Sequence, residues 1–203
     1  MNCIFTKKHN DSIICVAQKL HEPLPDQENL YIQENEREYY TQLHGTRKCE
    51  FLSVRALLFL MLPNKAPCIT YSETGKPYLK NTFISISHSA HYVAIILNKH
   101  KDVAIDIEED REKIIHIAPR FLNMHEQKNY TTLQEFTTVW SAKEVLYKLF
   151  EASPNFATDY AISGNITDES GELEGKVCTQ KIDKTVKIQY FRTKDFCVTW
   201  ANN

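Results

Sequence analysis

The sequence predicts an α+β fold made of two similar halves. Apolar residues recur at spacings of three and four over residues 34–62 and again over residues 131–150, which indicates a long helix in each place. Each helical stretch is followed by segments of strand composition that close in a hairpin. This similarity is too coarse to identify a repeat from the sequence alone. We expect the halves at residues 1–98 and 99–203, joined near residues 98–102.

The composition is that of a globular protein without a membrane or nucleic-acid partner. The 203 residues are 42% hydrophobic and 25% charged, which provides enough apolar material for a core. A formal net charge of -2 gives no reason to expect nucleic-acid binding, although a local basic patch can still bind a phosphorylated ligand. No apolar run approaches ~18 residues and the N-terminus has no long apolar region, so we expect a cytoplasmic protein.

The six cysteines are scattered along the chain without a Cys-x-x-Cys pair. This distribution predicts neither a metal cluster nor a disulfide framework. In the cytoplasm we expect the thiols to be reduced.

The first half begins with a predicted buried strand at residues 12–20, Ser-Ile-Ile-Cys-Val-Ala-Gln-Lys-Leu. Residues 21–29 contain two prolines among polar residues and predict a loop. The helix of residues 34–62 has a possible break near Gly45 and stops at Pro63.

Basic residues accompany this helix. Arg47, Lys48 and Arg55 lie beside its apolar stripe, and taken alone they fit a solvated helix face. Residues 73–77, Glu-Thr-Gly-Lys-Pro, predict a turn, because glycine supplies backbone freedom and proline extends the residue before it.

A hairpin is predicted next. Its first strand begins at Phe83, its turn is Ser-His-Ser-Ala at residues 87–90, and its second strand is residues 91–97. A hydroxyl and an imidazole at a turn can bind phosphate. Serine in a turn also commonly satisfies backbone groups, so both interpretations stay open.

The second half begins with a strand at residues 103–108, Val-Ala-Ile-Asp-Ile-Glu. Alternate side chains share a face, so Asp106 and Glu108 lie side by side, opposite an apolar set that we expect in the core. Carboxylates this close repel, so one stays protonated or a cation lies between them. Hard oxygen ligands suit Mg²⁺. The alternative is a half-exposed strand with solvated acids.

Two helices follow. Residues 110–129 predict a helix followed by a short loop, and Glu126 comes just after that loop. Residues 131–150 predict a strong helix. Within the latter, Glu144 and Lys148 are four positions apart, a spacing typical of an ordinary surface ion pair.

The tail predicts a sheet. Residues 164–166, 186–190 and 196–200 have strand composition, and Gly171 and Gly175 are interpreted as turns.

Three separated blocks occur in one order: Gly75-Lys76-Pro77, then residues 105–108, Ile-Asp-Ile-Glu, then residues 140–148, Trp-Ser-Ala-Lys-Glu-Val-Leu-Tyr-Lys. With the Ser87-His88-Ser89 turn and the helix around Arg55, this resembles the 4′-phosphopantetheinyl transferases, specifically the larger monomeric class of two similar halves. That class modifies carrier proteins of fatty-acid, polyketide and nonribosomal-peptide synthesis. The chain departs from the usual pattern at Ala104, where the family has glycine, and at Val145, where it has a small residue.

The resemblance implies a chemistry. Asp106, Glu108 and Glu144 would hold Mg²⁺, or Mn²⁺, on the pyrophosphate of coenzyme A. The serine of an apo acyl or peptidyl carrier protein would attack the β-phosphorus, with adenosine 3′,5′-bisphosphate leaving. Lys148 would stabilise or protonate the leaving phosphate, and Glu144 or Glu126 would take the serine proton.

The resemblance also implies ligands for the phosphates of coenzyme A. The candidates are Arg47, Arg55, Lys76, Ser87, His88 and Lys148. Coenzyme A would bind in a cleft between two halves related by a pseudo-two-fold axis, in a protein that acts as a monomer.

Two alternatives stay open. One is a non-catalytic member that binds coenzyme A or a carrier protein. The other is a Mg²⁺ phosphohydrolase, which fits the acids but does not explain residues 140–148.

Overall fold

The structure is a computed structural model, and it describes residues 1–22, 30–63, 68–152, 155–167 and 169–203. The predicted loop at residues 21–29 lies, from residue 23 onward, outside the described residues. The chain divides into two compact units, Met1–His100 (unit 1) and Lys101–Asn203 (unit 2), where the sequence predicts a division between residues 98 and 99. Each unit combines helices with antiparallel strands, so the α+β class is confirmed.

The described residues of unit 1 include a four-stranded antiparallel sheet in the order β1-β2-β6-β5, a short β3–β4 ladder and the helices named next. In chain order its elements are β1 Cys3–His9, β2 Ser12–Gln18, a 3-10 turn Glu34–Glu36, α1 Arg37–Gln42, α2 Gly45–Met61, β3 Thr70–Tyr71, β4 Pro77–Tyr78, β5 Phe83–His88 and β6 Tyr92–Asn98. The predicted hairpin is confirmed as β5 and β6, paired in antiparallel register. Ser87 and His88, however, lie in β5 opposite Ala94 and Val93 and not in the predicted turn, because the ladder continues through them.

The core of unit 1 lies between α2 and its sheet. Helix α2 packs against β2 and β6, and Val54, Leu57 and Leu58 form one cluster with Ile95. The predicted helix break is confirmed, since α1 ends before Leu43 and α2 begins at Gly45, whose φ of 53° lies in the left-handed region.

Unit 1 also corrects the cysteine prediction. Cys3 of β1 and Cys15 of β2 form a disulfide, so the prediction that the chain lacks disulfides is wrong for this pair. Scattered cysteine spacing could not show it, because the pairing depends on the β1–β2 register, in which Cys3 lies opposite Ala17, two positions from Cys15. Cys49, Cys68, Cys178 and Cys197 remain thiols.

Unit 2 contains a five-stranded antiparallel sheet in the order β7-β11-β10-β9-β8. Its elements are β7 Val103–Glu108, α3 Lys113–Phe121, α4 Glu126–Asn129, α5 Leu133–Phe150, α6 Phe156–Asp159, β8 Tyr160–Ser163, β9 Ser170–Cys178, β10 Asp183–Arg192 and β11 Cys197–Asn202. The predicted strand at residues 103–108 and the helix at residues 131–150 are therefore confirmed. Across the described ranges, no helix combines the length and the apolar character that crossing a bilayer requires.

Helix α5 is the central helix of unit 2. It begins with a capping box, in which the hydroxyl of Thr132 accepts from the N–H of Glu135 at 3.2 Å and the Glu135 carboxylate accepts from the N–H of Thr132 at 2.9 Å. The helix packs against β7 and β11, and Val139, Ala142 and Val145 are fully buried in the core. Its position therefore fixes residues 140–148 against the strand of Asp106.

The tail differs from the prediction at two points. Residues 164–166 are not a strand, since β8 ends at Ser163. Gly171 and Gly175 are not turns but lie inside β9, where a Cβ atom would stand 2.8 Å from the ring of Tyr190 and 2.5 Å from Cδ1 of Ile188, respectively. These glycines let large β10 side chains lie across the sheet, a role that composition does not separate from a turn.

Candidate active site

Strand β7 carries the two acids that the sequence places on one face. It pairs with β11 so that Asp106 lies opposite Thr199 and Glu108 opposite Cys197. The solvated-acid interpretation is wrong for Asp106, which is 4% exposed, whereas Glu108 is half-buried. The reason is that α5 packs against β7 and covers the face on which Ala104 belongs to the core.

Lys148 reaches from α5 to β7. Its Nζ donates to Oδ1 of Asp106 at 2.8 Å and to the carbonyl of Ile105 at 3.0 Å. The Lys148 side chain is 26% exposed and that of Asp106 is 6% exposed, so the pair lies at the boundary with solvent. The spacing of Glu144 and Lys148 indicates a pair along the helix, but the structure gives Lys148 a partner on the neighbouring strand.

Glu108 is oriented by an indole. Nε1 of Trp140 donates to Oε1 of Glu108 at 3.0 Å, which joins two motif blocks that are 32 positions apart. Burial first, and then the nearby charge of Asp106, raises the pKa of Glu108 to about 7, while Trp140 and Arg111 act in the opposite direction. Glu108 is therefore harder to ionise than an ordinary carboxyl, and a nearby cation would favour its charged form.

The pKa of Glu144 is raised in the same way. Burial, followed by the charge of Asp106, raises the pKa of Glu144 to about 7 against the opposing charge of Lys148. Near neutral pH both protonation states are populated, which suits a group that accepts a proton during catalysis. Glu144 also raises the pKa of Glu108, so the three carboxylates share one electrostatic environment.

The chemistry of this donor set fits the magnesium ion that the sequence resemblance implies. Asp106, Glu108 and Glu144 offer hard oxygen ligands, and their mutual repulsion is relieved by a cation between them. Lys148 and Trp140 donate to two of these carboxylates. In the part of the chain that the structure describes, no three His, Cys, Asp or Glu side chains are already grouped as a metal site.

Glu126, the second predicted base, is buried in the interior of unit 2. Its Oε2 accepts from Nζ of Lys143 at 2.6 Å and from the N–H of Asn123 at 2.8 Å, and its Oε1 accepts from the N–H of Ile162 at 2.7 Å. Both side chains of the Lys143–Glu126 pair are 0% exposed. A general base has to reach the substrate, so this arrangement favours Glu144 over Glu126.

Lys143, in the middle of residues 140–148, is a structural anchor. Besides Glu126, its Nζ donates to the carbonyls of Phe121 at 2.7 Å, Phe156 at 2.9 Å and Tyr160 at 2.9 Å. Burial lowers the pKa of Lys143, although Glu126 opposes this. The motif residue therefore ties α5 to α3, α6 and β8.

Sequence reasoning missed a second buried anchor at Arg192. This side chain donates to Oδ2 of Asp110 at 2.7 Å, to Oγ1 of Thr138 at 2.8 Å and to the carbonyl of Gln134 at 3.0 Å. It ties the segment after β7 to α5. Arg192 and Asp110 are 82 positions apart, so no local spacing signals the pair.

Unit 1 gathers several of the predicted phosphate ligands around a cavity of about 380 Å³. Arg47 and Arg55 line it from α2, and His88 lines it from the end of β5. Gly75 and Pro77, which flank Lys76, also line it. Three of the predicted basic side chains therefore line one cavity, two from α2 and one from a strand more than 30 positions later.

Arg55 is held in place by groups that the sequence did not reveal. It is 6% exposed, donates to Oε1 of Glu36 from Nη2 at 2.7 Å, and stacks on Phe51 with 3.5 Å to the ring centre. Its Nη1 also donates to the hydroxyl of Tyr71 at 3.4 Å. Glu36 precedes Arg55 by 19 positions, beyond the reach of helix periodicity.

The remaining predicted ligands differ in access. His88 Nδ1 lies 3.5 Å from Oε1 of Glu50, which also pairs with Lys19 at 3.0 Å. Ser87 is buried in β5 at 8% exposure. The backbone of Lys76 is fixed by the predicted turn, since its N–H donates to the hydroxyl of Ser72 at 3.0 Å.

No family model matches the chain, and no curated protein matches it either. The functional argument therefore depends on the motif blocks and on the geometry of the residues in each unit.

Proposed function

We propose that the protein is a 4′-phosphopantetheinyl transferase, a holo-acyl-carrier-protein synthase. It transfers 4′-phosphopantetheine from coenzyme A to a serine of an apo carrier protein and releases adenosine 3′,5′-bisphosphate. One observation carries the proposal: Lys148 bonds Asp106 and Trp140 bonds Glu108, so the two most specific motif blocks meet at one group of carboxylates. Surface residues that match a motif by chance would not meet in this way.

In the proposed reaction, Asp106, Glu108 and Glu144 hold Mg²⁺ or Mn²⁺, which when bound supplies positive charge against the pyrophosphate. Glu144 accepts the proton of the carrier serine, because it is half-buried and within reach of a substrate, whereas the side chain of Glu126 is 0% exposed. The serine oxygen forms a bond to the β-phosphorus, and the bond from that phosphorus to the bridging oxygen breaks. Lys148 stabilises or protonates the leaving phosphate.

Unit 1 supplies the phosphate ligands in this proposal. Arg47, Arg55, Lys76 and His88 bind phosphates of coenzyme A, including the 3′-phosphate, because planar and cationic donors match phosphate oxygens. For Arg55 this requires sharing or exchanging its bond with Glu36. The pseudo-two-fold relation of the halves, the cleft for coenzyme A, the monomeric state and the cytoplasmic location stay predictions.

A non-catalytic member of the family is the second candidate. The observation that favours it is that Asp106 and Arg55 are each already ion-paired within the protein. The hydrolase alternative gains no such support.

The test is incubation of the full chain with coenzyme A, Mg²⁺ and a panel of apo carrier proteins, read by intact mass. A transferase adds one phosphopantetheine group to the carrier and releases adenosine 3′,5′-bisphosphate. A carrier whose acceptor serine is replaced by alanine is the matched control and should gain nothing. Binding without any mass gain supports the non-catalytic candidate, and free phosphate supports the hydrolase.

A further inference from the structure

Lys148 occupies a carboxylate that the proposed function assigns to a divalent cation. Its Nζ is 2.8 Å from Oδ1 of Asp106 and 3.0 Å from the carbonyl of Ile105. A carboxylate as buried as Asp106, with its side chain 6% exposed, needs a countercharge nearby. In this structure an ammonium group of the chain itself supplies it.

We propose that Lys148 and the divalent cation compete for Asp106, so that metal binding releases Lys148. The inference rests on the proposed function, because it takes the metal site from it. It adds an order of events: the cation binds first, and Lys148 then becomes available to the phosphate of the substrate.

The first argument is electrostatic. A divalent cation and an ammonium group on the same carboxylate repel each other, and the repulsion is strong where solvent is partly excluded. Glu108 and Glu144 offer further oxygens to the cation, whereas the Nζ of Lys148 donates to Asp106 and to the carbonyl of Ile105. The cation therefore gains ligands that the ammonium group does not use.

The second argument is freedom of movement. Lysine carries its charge on a flexible four-carbon stem, and the side chain of Lys148 is 26% exposed, so it has a route into solvent. Lys143 on the same helix is 0% exposed and donates to Glu126 and three carbonyls. Of these two lysines, only Lys148 has an ammonium group next to solvent, and the arriving cation then supplies the countercharge that Asp106 needs.

The experiment measures Mn²⁺ affinity of the full chain without coenzyme A at pH 8, from the free-ion signal in electron paramagnetic resonance. Lys148→Met removes the competing charge and keeps the length of the side chain. Binding should become about tenfold tighter, within the range usual for coupled binding events. Lys128→Met, on the exposed side of α4, changes the net charge equally and should leave the affinity unchanged.

Lys148→Arg keeps the charge and should bind Mn²⁺ nearly as the unaltered chain does. An unchanged or weaker affinity in Lys148→Met overturns the proposal. Correct folding of each variant is checked by its circular dichroism spectrum and cooperative melting.

A second readout follows Lys148 directly. Limited acetylation, read by peptide mass spectrometry, should modify Lys148 several-fold faster when saturating Mg²⁺ is added, while the modification of Lys128 stays constant. Equal rates at Lys148 with and without Mg²⁺ overturn the release. Transfer to a carrier protein is measured separately: transfer with no shift in affinity rejects this inference alone, and a shift without transfer rejects the proposed function alone.

Discussion

Two lysines of α5, five positions apart, form ion pairs of opposite character. The Lys143–Glu126 pair is completely enclosed, with both side chains 0% exposed. The Lys148–Asp106 pair lies at the boundary with solvent, at 26% and 6% exposure. Both belong to the same motif, so the sequence presents them as equivalent charges.

The difference between them lies in how completely the charges are balanced. Glu126 accepts from Lys143 and from two backbone N–H groups, so both of its oxygens are satisfied. Asp106 has one lysine but lies beside Glu108 and Glu144, whose pKa values are both raised to about 7. The fully paired Lys143–Glu126 pair stabilises the fold. The three acids near Lys148 carry more negative charge than that one lysine neutralises, so they are able to bind a cation.

The largest expected effect is on stability, from Lys143→Met. It leaves the Glu126 carboxylate buried without a countercharge, which should lower the free energy of unfolding by about 3–5 kcal/mol. Urea unfolding followed by circular dichroism measures it. The double variant Lys143→Met with Glu126→Gln should regain part of the loss, because the neutral amide oxygen can still accept from a backbone N–H. Lys148→Met should cost less, because the Lys148–Asp106 pair lies at the boundary with solvent. A loss below about 1 kcal/mol in Lys143→Met would contradict the anchoring role.

The next effect is on catalysis. Asp106→Ala and Glu144→Ala should each slow transfer by about a hundred- to a thousand-fold, the usual cost of removing a group that stabilises developing charge. Their melting temperatures should be unchanged or higher, because each removes one of three repelling acids. The measurement pairs transfer rate with thermal melting, and Glu174→Ala on the exposed side of β9 is the control. Transfer at a near-normal rate in both variants would end the catalytic proposal.

A smaller effect should appear in the pH dependence of stability. Glu108 and Glu144 have pKa values of about 7 in the folded protein against 4.5 for the ordinary carboxyl, so the folded state binds more protons between these values. The free energy of unfolding should therefore fall as pH rises from about 4.5 to about 7, by on the order of 1–2 kcal/mol for each carboxyl after allowance for solvent. Unfolding measured across pH 4–8 tests this.

Glu144→Gln is the variant that isolates this pH effect. In this variant the free energy of unfolding should fall less between about pH 4.5 and about pH 7 than in the unaltered chain. The variant should also be more stable than the unaltered chain at pH 8. A variant curve that runs parallel to the unaltered one would show that Glu144 does not cause the dependence.

The smallest effect concerns the Arg55–Glu36 pair of unit 1. Its side chains are 5% and 9% exposed, so its burial is intermediate between that of the Lys143–Glu126 pair and that of the Lys148–Asp106 pair. Arg55→Ala should raise the KM for coenzyme A roughly tenfold with little change in kcat, because the contact is made in the ground state. Steady-state kinetics with varied coenzyme A measures it. Glu36→Gln frees Arg55 while keeping its charge and should not raise KM. An unchanged KM in Arg55→Ala would remove Arg55 from the binding residues.

Sequence reasoning succeeded where a local pattern has one physical meaning. The alternation in residues 103–108 and the three-and-four spacing in residues 131–150 gave the bounds of β7 and α5 closely. It failed where one residue type serves two purposes, as at Gly171, which allows close packing of Tyr190 instead of a turn.

The candidate site was predictable in membership but not in geometry. The motif blocks include Asp106 and Lys148 but do not indicate that these side chains form an ion pair. They also do not show that Lys143 is a buried structural residue whereas Lys148 lies next to solvent. Burial of Asp106 depends on α5 packing against β7, a tertiary event that strand alternation does not contain. The disulfide and the Arg192–Asp110 pair depend in the same way on contacts between distant segments.

The antiparallel ladder of β7 and β11 has a consequence for how the protein is made. Because Asp106 lies opposite Thr199, the strand that carries the acids receives this partner only after residues 197–202 have left the ribosome. A nascent chain that already contains residues 140–148 therefore has every motif block but lacks this ladder. A chain that stops before residue 197 should therefore be inactive in the proposed transfer, although it contains every motif block.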